Sequence, residues 1–426
     1  MLRKHKAVIA LLACSLAIAG LLSACGSSAS SSGSGGEQTI AYWSSGPTQG
    51  VQAIVNSFNQ QYKGKIQVKF TTFPYNNETE VVNSALSAHR GPDILEESLT
   101  PSAPYAYQGL EQPIEPILKM GGINPTTDFP ASMWNGTAVK GVHYVIPVGA
   151  LPTLLFYNKA MFKAAGLNPN QPPTNTSEFI HDAQATTNAS KGQWGYVQQP
   201  SWPNPFLFPS LLSQFGGKEA NANTRQIEFN SSAGVNALTF EYNTIYKYHV
   251  SPTNASANEY YNLFVNGKNA MMMDGAYEYP LVSKALGSNL GVALLPVIGT
   301  QQANFLGQNY WWVFKNASMN TAKQQAIGTF FKYYYDHSME IAQNGILPTW
   351  EPTLQNPALK SIPGLAIQAQ ALSSGVLNPL IPNWGTTSST YLYNQINLAL
   401  LNKATPSAAL SQAATQMQQE VNSLAK

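Results

Sequence analysis

Strand-like and helix-like patterns alternate along the first hundred residues, and this alternation limits the possible folds more than any other feature. Short apolar or alternating runs predict strands at 38–43, 66–70 and 93–95. Between them, apolar residues recur at helical spacing over 51–62 and 81–86. Strands separated by helices predict a parallel α/β sheet, because a parallel connection needs a long crossover that a helix can supply.

A second group of similar units begins near Val142. Strands are predicted at 153–157, 270–273, 290–295 and 311–314, and a helix at 159–165 ended by Gly166. Asn175 with Glu178 predicts a capping box before the next helix, and the C-terminal third reads as mainly helical. A length of 426 residues suits two to three domains, and no 20–50-residue repeat is visible. The expected fold class is therefore α/β with two lobes.

The N-terminus has the pattern of a bacterial lipoprotein signal. Arg3, Lys4 and Lys6 precede an apolar run from 7 to 24, and the sequence LSACG at 22–26 matches a lipobox. This predicts a signal peptide at 1–24, a lipid-modified Cys25 carrying diacylglycerol and palmitate, and a flexible Ser/Gly tether at 25–36. The alternative is a transmembrane anchor, although 18 apolar residues are at the lower limit for a span.

Charge and cysteine content narrow the possible functions. Charged residues make up 10% of the chain, against roughly 25% in typical domains. After removal of residues 1–24 the chain would contain 20 Lys and Arg residues and 21 Asp and Glu residues. It therefore has no excess of positive charge that would favour binding of nucleic acid. Cys14 would be removed and Cys25 lipidated, which leaves no disulfide. The low charge also suggests the hypothesis of an acidic external medium, where an uncharged polar surface changes least.

Signals of catalysis and metal binding are sparse. The sequence has no Gly-x-Ser-x-Gly elbow and no phosphate-binding Gly-x-x-x-x-Gly-Lys-Ser/Thr loop, and the histidines of the mature chain are isolated. Glu96 and Glu97 are adjacent on a predicted strand, so they face opposite sides and cannot form a glycosidase pair. Asp274 and Glu278 flank a glycine turn and could face a cleft, although a structural or capping role is the simpler interpretation. We expect no enzyme activity, no cofactor and no metal.

Aromatic residues are the positive signal. Nine of them lie at predicted strand ends or in Pro/Gly-rich loops, where rings can stack on sugars while nearby amides and carboxylates bind hydroxyls. The alternative for each ring is core packing. These residues are Trp43, Trp202, Tyr277, Tyr279, Tyr310, Trp311, Trp312, Trp350 and Trp384.

Several segments resemble the family 1 extracellular solute-binding proteins, the maltose-binding-like receptors of bacterial ABC sugar importers. The order and spacing of the segments over residues 38 to about 400, behind a lipobox, make the resemblance specific. The segments are GPDI at 91–94, GVHYVIPVGALPTLLFYNKAMFKAAGL at 141–167, FVNGKNAMMMDGAYEY at 264–279, the pair 290–296 and 306–315, and GILP at 345–348.

The resemblance implies a type II periplasmic-binding-protein fold with two lobes joined by hinge crossovers. It places lobe 1 at 37–148 and 305–346, and lobe 2 at 149–304 and 347–426. It further implies a ligand cleft between the lobes that closes around solute, and recognition of the closed form by a membrane permease.

The same resemblance implies a set of ligand-binding residues. Tyr277 follows the Asp274–Gly275 turn, where the family places a stacking ring. Gln199 replaces a glutamate of the maltose binder, and Trp202 is shifted by one position from its tyrosine. The expected ligand-binding residues are Trp43, Ser44, Ser45, Glu97, Gln199, Trp202, Asp274, Tyr277, Tyr310 and Trp384.

Departures from the maltose binder make maltose itself a poor candidate. Its Trp and Asp–Arg pair are replaced here by LEESLT at 95–100, and its hinge-region glutamate falls near Leu151. Neither Arg90 nor Arg225 lies at an expected cleft position, which disfavours a phosphorylated ligand.

The resulting expectation is a monomeric, lipid-anchored binding protein on the outer face of the cell membrane that delivers a mono- or oligosaccharide to ABC permease subunits. The alternatives are a receptor for glycerol-3-phosphate or another polar solute, and, as an enzyme, a lipoprotein that acts on carbohydrate.

Overall fold

A computed structural model describes residues 36–45, 50–74, 77–98, 108–139, 141–199 and 205–423. The residues from Glu37 to Lys426 group into one compact unit. The predicted signal peptide, Cys25, the tether up to residue 35 and Trp202 lie outside the described residues. Within the described part, no helix is both long enough and apolar enough to cross a membrane.

Fourteen strands are assigned in the described residues. They are β1 (Gln38–Ser44), β2 (Ile66–Thr72), β3 (Ile94–Ser98), β4 (Ala138–Val139), β5 (Val142–His143), β6 (Val145–Asn158), β7 (Trp194–Tyr196), β8 (Ala220–Asn221), β9 (Gln226–Ile227), β10 (Asn269–Gly275), β11 (Leu290–Leu294), β12 (Asn304–Val313), β13 (Leu347–Pro348) and β14 (Gly375–Val376).

The α-helices of the described residues connect these strands and form most of the C-terminal part. They are α1 (Val51–Gln61), α2 (Glu78–Ser87), α3 (Glu115–Gly121), α4 (Pro125–Asp128), α5 (Ala131–Asn135), α6 (Lys159–Ala164), α7 (Thr176–Thr186), α8 (Leu207–Gln214), α9 (Ser232–Tyr246), α10 (Ala257–Val265), α11 (Tyr279–Leu286), α12 (Thr321–Asp336), α13 (Ser338–Ala342), α14 (Glu351–Leu354), α15 (Pro357–Lys360), α16 (Pro363–Ala371), α17 (Trp384–Thr387), α18 (Tyr393–Leu400) and α19 (Pro406–Ser423).

One mixed sheet organises the described residues. Its strand order is β2-β1-β3-β12-β6-β10-β7, with β11 and β13 also paired to β6 and β14 paired to β12. β1 is parallel to β2 and β3, as the alternating sequence pattern predicts. β10 is parallel to β7, a strand that the sequence pattern did not predict. β12 runs antiparallel to both β3 and β6. The sheet therefore has two parallel groups joined through two long antiparallel strands.

Strand β6 belongs to both groups. Its first part pairs with β12, and its second part pairs with β10 and β11. All fourteen of its residues are buried, which suits a strand covered on both faces. We call β1, β2 and β3 with the start of β6 the first half-sheet, and β7, β10 and β11 with the end of β6 the second half-sheet.

Each half-sheet has its own hydrophobic core. One core packs α1 and α12 against β1 and includes Ile40, Phe58 and Phe330. The other core packs α8, α9 and α19 against the second half-sheet and includes Leu155, Leu211 and Met417. The apolar periodicity that predicts α1 therefore marks the face that this helix buries.

The start of α7 agrees with its predicted capping in part. The Asn175 side chain accepts a hydrogen bond from the Glu178 backbone N–H at 3.1 Å, as predicted. The Glu178 carboxylate accepts from the backbone N–H of Thr174 at 2.8 Å, one residue before the position that a capping box requires. The helix start is thus correct, while the returning bond is displaced by one residue.

Candidate functional site

The ends of the two half-sheets converge on one short segment of β6. Ser98 at the end of β3 pairs with Asn309, which pairs with Gly149 of β6. Gly275 at the end of β10 pairs with Thr153 of the same strand. Four residues of strand span about 13 Å. The carboxyl ends of β3 and β10 therefore meet β6 close together, and ligands of open α/β sheets bind beyond such ends. We call Gly149–Thr153 the hinge segment.

The end of β1 contributes the first predicted site residues. Trp43 is half-buried, with its ring edge-on to Phe73 at 6.2 Å between centroids. Ser44 is buried, and Ser45 is half-buried and donates its hydroxyl hydrogen to the Glu78 carboxyl. Trp43 and Ser45 are thus partly accessible at the strand end, whereas Ser44 is buried and hydrogen-bonds Glu96.

Glu97 of β3 contacts a second carboxyl that the sequence did not single out. Its Oε2 accepts a hydrogen bond from the Trp312 indole N–H at 2.8 Å. Glu78, at the start of α2, is also buried and hydrogen-bonds with Glu97. Burial first, and then the charge of Glu97, raise the pKa of Glu78 to about 9, while the Ser45 bond opposes this shift.

Glu96 lies on the opposite face of β3 from Glu97, as the alternation of a strand predicts. It accepts hydrogen bonds from the Tyr42 hydroxyl and from the Asn309 amide, the latter at 3.2 Å. Burial raises the pKa of Glu96 to about 7, although these hydrogen bonds favour the ionised form.

Glu111 adds a further acid near Glu97. It bridges to Phe314 through the backbone, is fully buried, and neither carboxyl oxygen has a hydrogen-bond partner among the described residues. Burial, followed by the charge of Glu97, raises the pKa of Glu111 to about 10, and Lys315 opposes the shift. The glutamates of this face form no metal-ligand group within the described residues.

The second half-sheet presents a tighter arrangement at the end of β10. Asp274 Oδ1 accepts from the Gly275 backbone N–H at 2.7 Å and from the Tyr277 hydroxyl at 2.9 Å. The Tyr277 ring is half-buried and lies 5.3 Å from the Phe206 ring. Asp274 therefore holds the turn and fixes the orientation of Tyr277, which is the structural role weighed for it from sequence.

Polar residues that follow β7 lie beside this turn in the same half-sheet. Gln199 is buried and its side-chain oxygen has no partner among the described residues. Its neighbour Gln198 donates to Glu241 at 2.8 Å. Burial raises the pKa of both Glu241 and Glu278 to about 8. Buried amide and carboxyl groups thus lie in this half-sheet as well.

Two predicted stacking residues are buried in the structure. Tyr310 lies opposite Glu97 in the β3–β12 ladder and packs in a cluster with Trp312. Trp384 is 1% exposed and belongs to the core of the second half-sheet with Leu392. Both rings are thus enclosed by apolar side chains, which loop position alone does not reveal. Their contacts with a ligand stay predictions from sequence.

Sequence reasoning missed three polar groups at the convergence: Glu78, Glu111 and Gln308. Gln308 lies in β12 opposite Ala150 of the hinge segment and is 0% exposed. Both of its amide atoms lack a partner among the described residues. Its position between Leu306 and Tyr310 on one face of the strand was the available signal, because a buried amide usually needs a hydrogen-bond partner.

The fold and the convergence of strand ends define a class, the two-lobed α/β binding proteins. Residues 43–340 match the family described as bacterial extracellular solute-binding protein. Since the match covers more than half of the chain, the protein belongs to this family, as the resemblance predicted.

Individual relatives agree with this assignment. The galactooligosaccharide-binding protein of Bacillus subtilis is 23% identical over 92% of both chains. The sn-glycerol-3-phosphate-binding periplasmic protein UgpB of Brucella melitensis is 24% identical over 77% of this chain and 79% of its own. An ABC substrate-binding protein of Listeria monocytogenes in complex with cycloalternan has a TM-score of 0.78 at 20% identity, covering 91% of this chain and 99% of that one. The two-lobed type II fold is thereby confirmed, while the exact lobe boundaries stay predictions.

Proposed function

We propose that this protein captures a neutral carbohydrate, a mono- or oligosaccharide, between its lobes and delivers it to an ABC permease. The observation that carries the proposal is the convergence of β3 and β10 on the hinge segment, with hydroxyl, amide, carboxyl and aromatic groups at both strand ends. Sugars present hydroxyls along the ring edge and C–H groups on its faces, which such groups bind. Relatives named for a galactooligosaccharide or bound to cycloalternan support this class.

We assign ligand contacts to the predicted residues that lie at these ends. They are Trp43, Ser44, Ser45, Glu97, Gln199, Asp274 and Tyr277. Trp202 stays a prediction from sequence. Tyr310 and Trp384 are buried in the structure, and their ligand contacts also stay predictions from sequence.

The rival ligand class is a polyol phosphate, which the UgpB relative brings into consideration. Phosphate recognition favours Arg or Lys in bidentate or charge-assisted contacts. The described groups at the first strand end are instead acids, with Lys315 acting on Glu111. This arrangement favours an uncharged ligand.

The cellular setting follows from the N-terminal pattern. We propose that Cys25 carries the lipid and that the protein works as a monomer outside the cell membrane, attached through the tether at 25–36. We further propose that it binds without catalysis, because the acid pairs at the site contact each other or fixed donors. Loss of radiolabelled palmitate incorporation on Cys25→Ala would support the anchor, and unchanged incorporation would contradict it.

A thermal-shift screen tests the ligand class. The full-length protein in detergent would be followed by Trp fluorescence at pH 5 and pH 7 with galactobiose, maltotriose, tagatose, mannitol, glycerol-3-phosphate and glycerophosphocholine. We expect a neutral sugar to raise the melting temperature without being hydrolysed, since ligand binding to the folded state stabilises it. Stabilisation by the phosphate compounds alone would overturn the carbohydrate proposal, and sugar cleavage would overturn the absence of catalysis.

A further inference from the structure

Two carboxyl groups from different elements meet at the end of the first half-sheet. Glu78, on the first turn of α2, and Glu97, on β3, are 7% and 4% exposed. They are hydrogen-bonded to each other. An ionised carboxylate can only accept a hydrogen bond, so this contact requires a proton on one of the two groups. The pair therefore holds one proton between two residues.

The surroundings of the pair supply neutral donors. Ser45 donates to Glu78, and the Trp312 indole donates to Glu97 at 2.8 Å. The other described groups that act on the pair are the acids Glu96 and Glu111 and the Tyr310 phenol, and Lys315 acts on Glu111. The neighbouring sequence segments 46–49, 75–76 and 99–107 contain no Asp, Glu, Lys, Arg or His. The shared proton thus reduces the charge of the pair where the described surroundings are acids and neutral donors.

Gln308 provides an independent sign that a ligand belongs here. Side chains alternate along β12, so Gln308 faces the same side of the sheet as Tyr310 and Trp312. Tyr310 is the direct ladder partner of Glu97, and Gln308 lies one same-face step nearer the hinge segment. Its buried amide has no partner among the described residues, and leaving a buried polar group unpaired is unfavourable. A ligand hydroxyl that accepts from and donates to this amide would remove that cost.

We propose that Glu78, Glu97 and Gln308 form a hydrogen-bond subsite for a neutral polyhydroxylated ligand, and that the proton shared by the two carboxyls makes capture stronger at acid and neutral pH than at alkaline pH. This inference rests on the proposed function. The protonated pair offers both a donor and acceptors, and the amide offers both as well, which matches sugar hydroxyls. An anionic ligand would instead meet carboxyl oxygens.

The direction of the pH effect follows from the pair. Above the pH at which the pair releases its proton, two adjacent carboxylates replace a donor–acceptor group. The ligand then loses a donor, and the two charges repel each other. Burial and the neighbouring charge of Glu97 raise the pKa of Glu78 to about 9, so the loss falls between neutral and alkaline pH.

Calorimetric titration tests the subsite on the full-length protein in detergent. Galactobiose and maltotriose would each be titrated at pH 5, 7, 9 and 10, with circular dichroism confirming the fold at each pH. We expect affinity to fall about tenfold from pH 7 to pH 10, the value of one lost hydrogen bond. Glu78→Gln, which keeps a neutral donor and acceptor, should abolish this pH dependence. Glu80→Gln on the exposed side of the same helix is the matched control and should keep it.

A measurement without ligand decides the shared proton directly. In protein carrying ¹³C-labelled Glu carboxyls, the Glu78 signal should titrate near pH 9 and move towards the ordinary range in Glu97→Gln. Titration of Glu78 at its ordinary value in the wild type would overturn the inference. Affinity that is flat with pH, or a fall of equal size in Glu78→Gln, would also overturn it while leaving carbohydrate binding intact. Absence of sugar binding at every pH would overturn the proposed function, and the subsite with it.

Discussion

The two ends of strand β3 bury acidic groups in different ways. Asp93, just before the strand, has each carboxyl oxygen 2.9 Å from the Lys323 ammonium, and Asn316 and the Ala41 backbone N–H also donate to it. At the other end, Glu96 and Glu97 receive hydrogen bonds from phenol, amide and indole groups instead. One end carries a cation and the other carries neutral donors.

This difference separates a structural role from a site. A buried ion pair with additional hydrogen bonds holds one geometry. Neutral donors leave the charge of a buried carboxyl to the solvent pH, and burial raises the pKa of Glu96 to about 7. The strand thus places its ion pair, which we call the fixed end, away from the hinge segment, and the carboxyls with neutral donors, which we call the adjustable end, beside it.

The largest effect is expected from breaking the fixed end. Asp93→Asn leaves the Lys323 ammonium buried without its counter-ion, which should lower the free energy of unfolding by about 3–5 kcal/mol in urea denaturation. Asp336→Asn removes the exposed ion pair with Lys332 and is the control, with an expected loss of about 0–1 kcal/mol. Equal losses in the two variants would show that the comparison is false.

Because of the buried carboxyls at the adjustable end, we expect the free energy of unfolding to fall as the pH rises. The folded-state pKa of Glu96 lies above its ordinary value of 4.5, so the folded state holds the proton more tightly than the unfolded state. Stability is therefore complete below about pH 4.5 and is lost as the pH rises through about 7, by on the order of 3 kcal/mol for this group. Urea denaturation at pH 5, 6, 7 and 8 measures the loss.

The variant Glu96→Gln should reduce that pH-dependent loss, because its amide does not titrate. Glu78 and Glu111, with pKa values raised to about 9 and about 10, act in the same direction from their ordinary value of 4.5 up to those values. Stability that increases from pH 5 to pH 8 would contradict the burial argument. The expected direction suits a protein exposed to an acidic medium, which stays a prediction of the sequence.

Much of the sheet could be predicted because an element that buries one face carries apolar residues at a regular spacing. The predicted strand at 38–43 and helix at 51–62 correspond to β1 and α1 within one residue at each end. Strand β6 was expected only at 153–157 but extends over Val145–Asn158. Pro147, Gly149 and Pro152 interrupt its strand pattern, and the structure places Pro147 beside an irregularity in the β12–β6 register. Pairing with β12 on one part and with β10 and β11 on the other extends the strand, and this pairing is a tertiary property that the local sequence does not show.

Site residues that follow strand ends could be predicted from the sequence, whereas those brought to the site by the packing of separate elements could not. Ser45 and Glu97 follow or end predicted strands, and Asp274 precedes a glycine turn, so the sequence could place them. Glu78 reads as an ordinary acid in the first turn of a helix, and only the packing of α2 near β3 brings it to Glu97. Trp384 shows the reverse case, since a loop aromatic in the sequence is a core residue in the structure.

A smaller effect is expected from weakening one neutral donor. Tyr42→Phe removes the hydroxyl that donates to Glu96 and should cost about 1–2 kcal/mol. Because this bond lowers the pKa of Glu96, the cost should grow from pH 5 to pH 8 as the carboxyl ionises. Tyr335→Phe removes a buried hydroxyl that donates to the Pro147 carbonyl at 2.8 Å, and its cost should not change with pH. The same pH dependence in both variants would contradict a role for Glu96 ionisation.

The smallest effect is expected from Ser45→Ala. The direction in which this variant shifts the pH dependence of sugar affinity shows whether Ser45 only positions Glu78 or also lowers its pKa. If the Ser45 hydroxyl only held Glu78 in place, Ser45→Ala would weaken sugar binding equally at every pH. The hydroxyl also lowers the pKa of Glu78, so its removal should let the carboxyl pair keep its proton to higher pH. We therefore expect a loss of stability of about 0.5 kcal/mol together with a shift of the fall in sugar affinity towards alkaline pH. The measurement is the midpoint of the affinity–pH curve in calorimetry, with Ser57→Ala, which removes a hydroxyl that donates to the Ala53 carbonyl within α1, as control. A midpoint that stays in place or moves towards acid would mean that Ser45 does not set the proton of the pair.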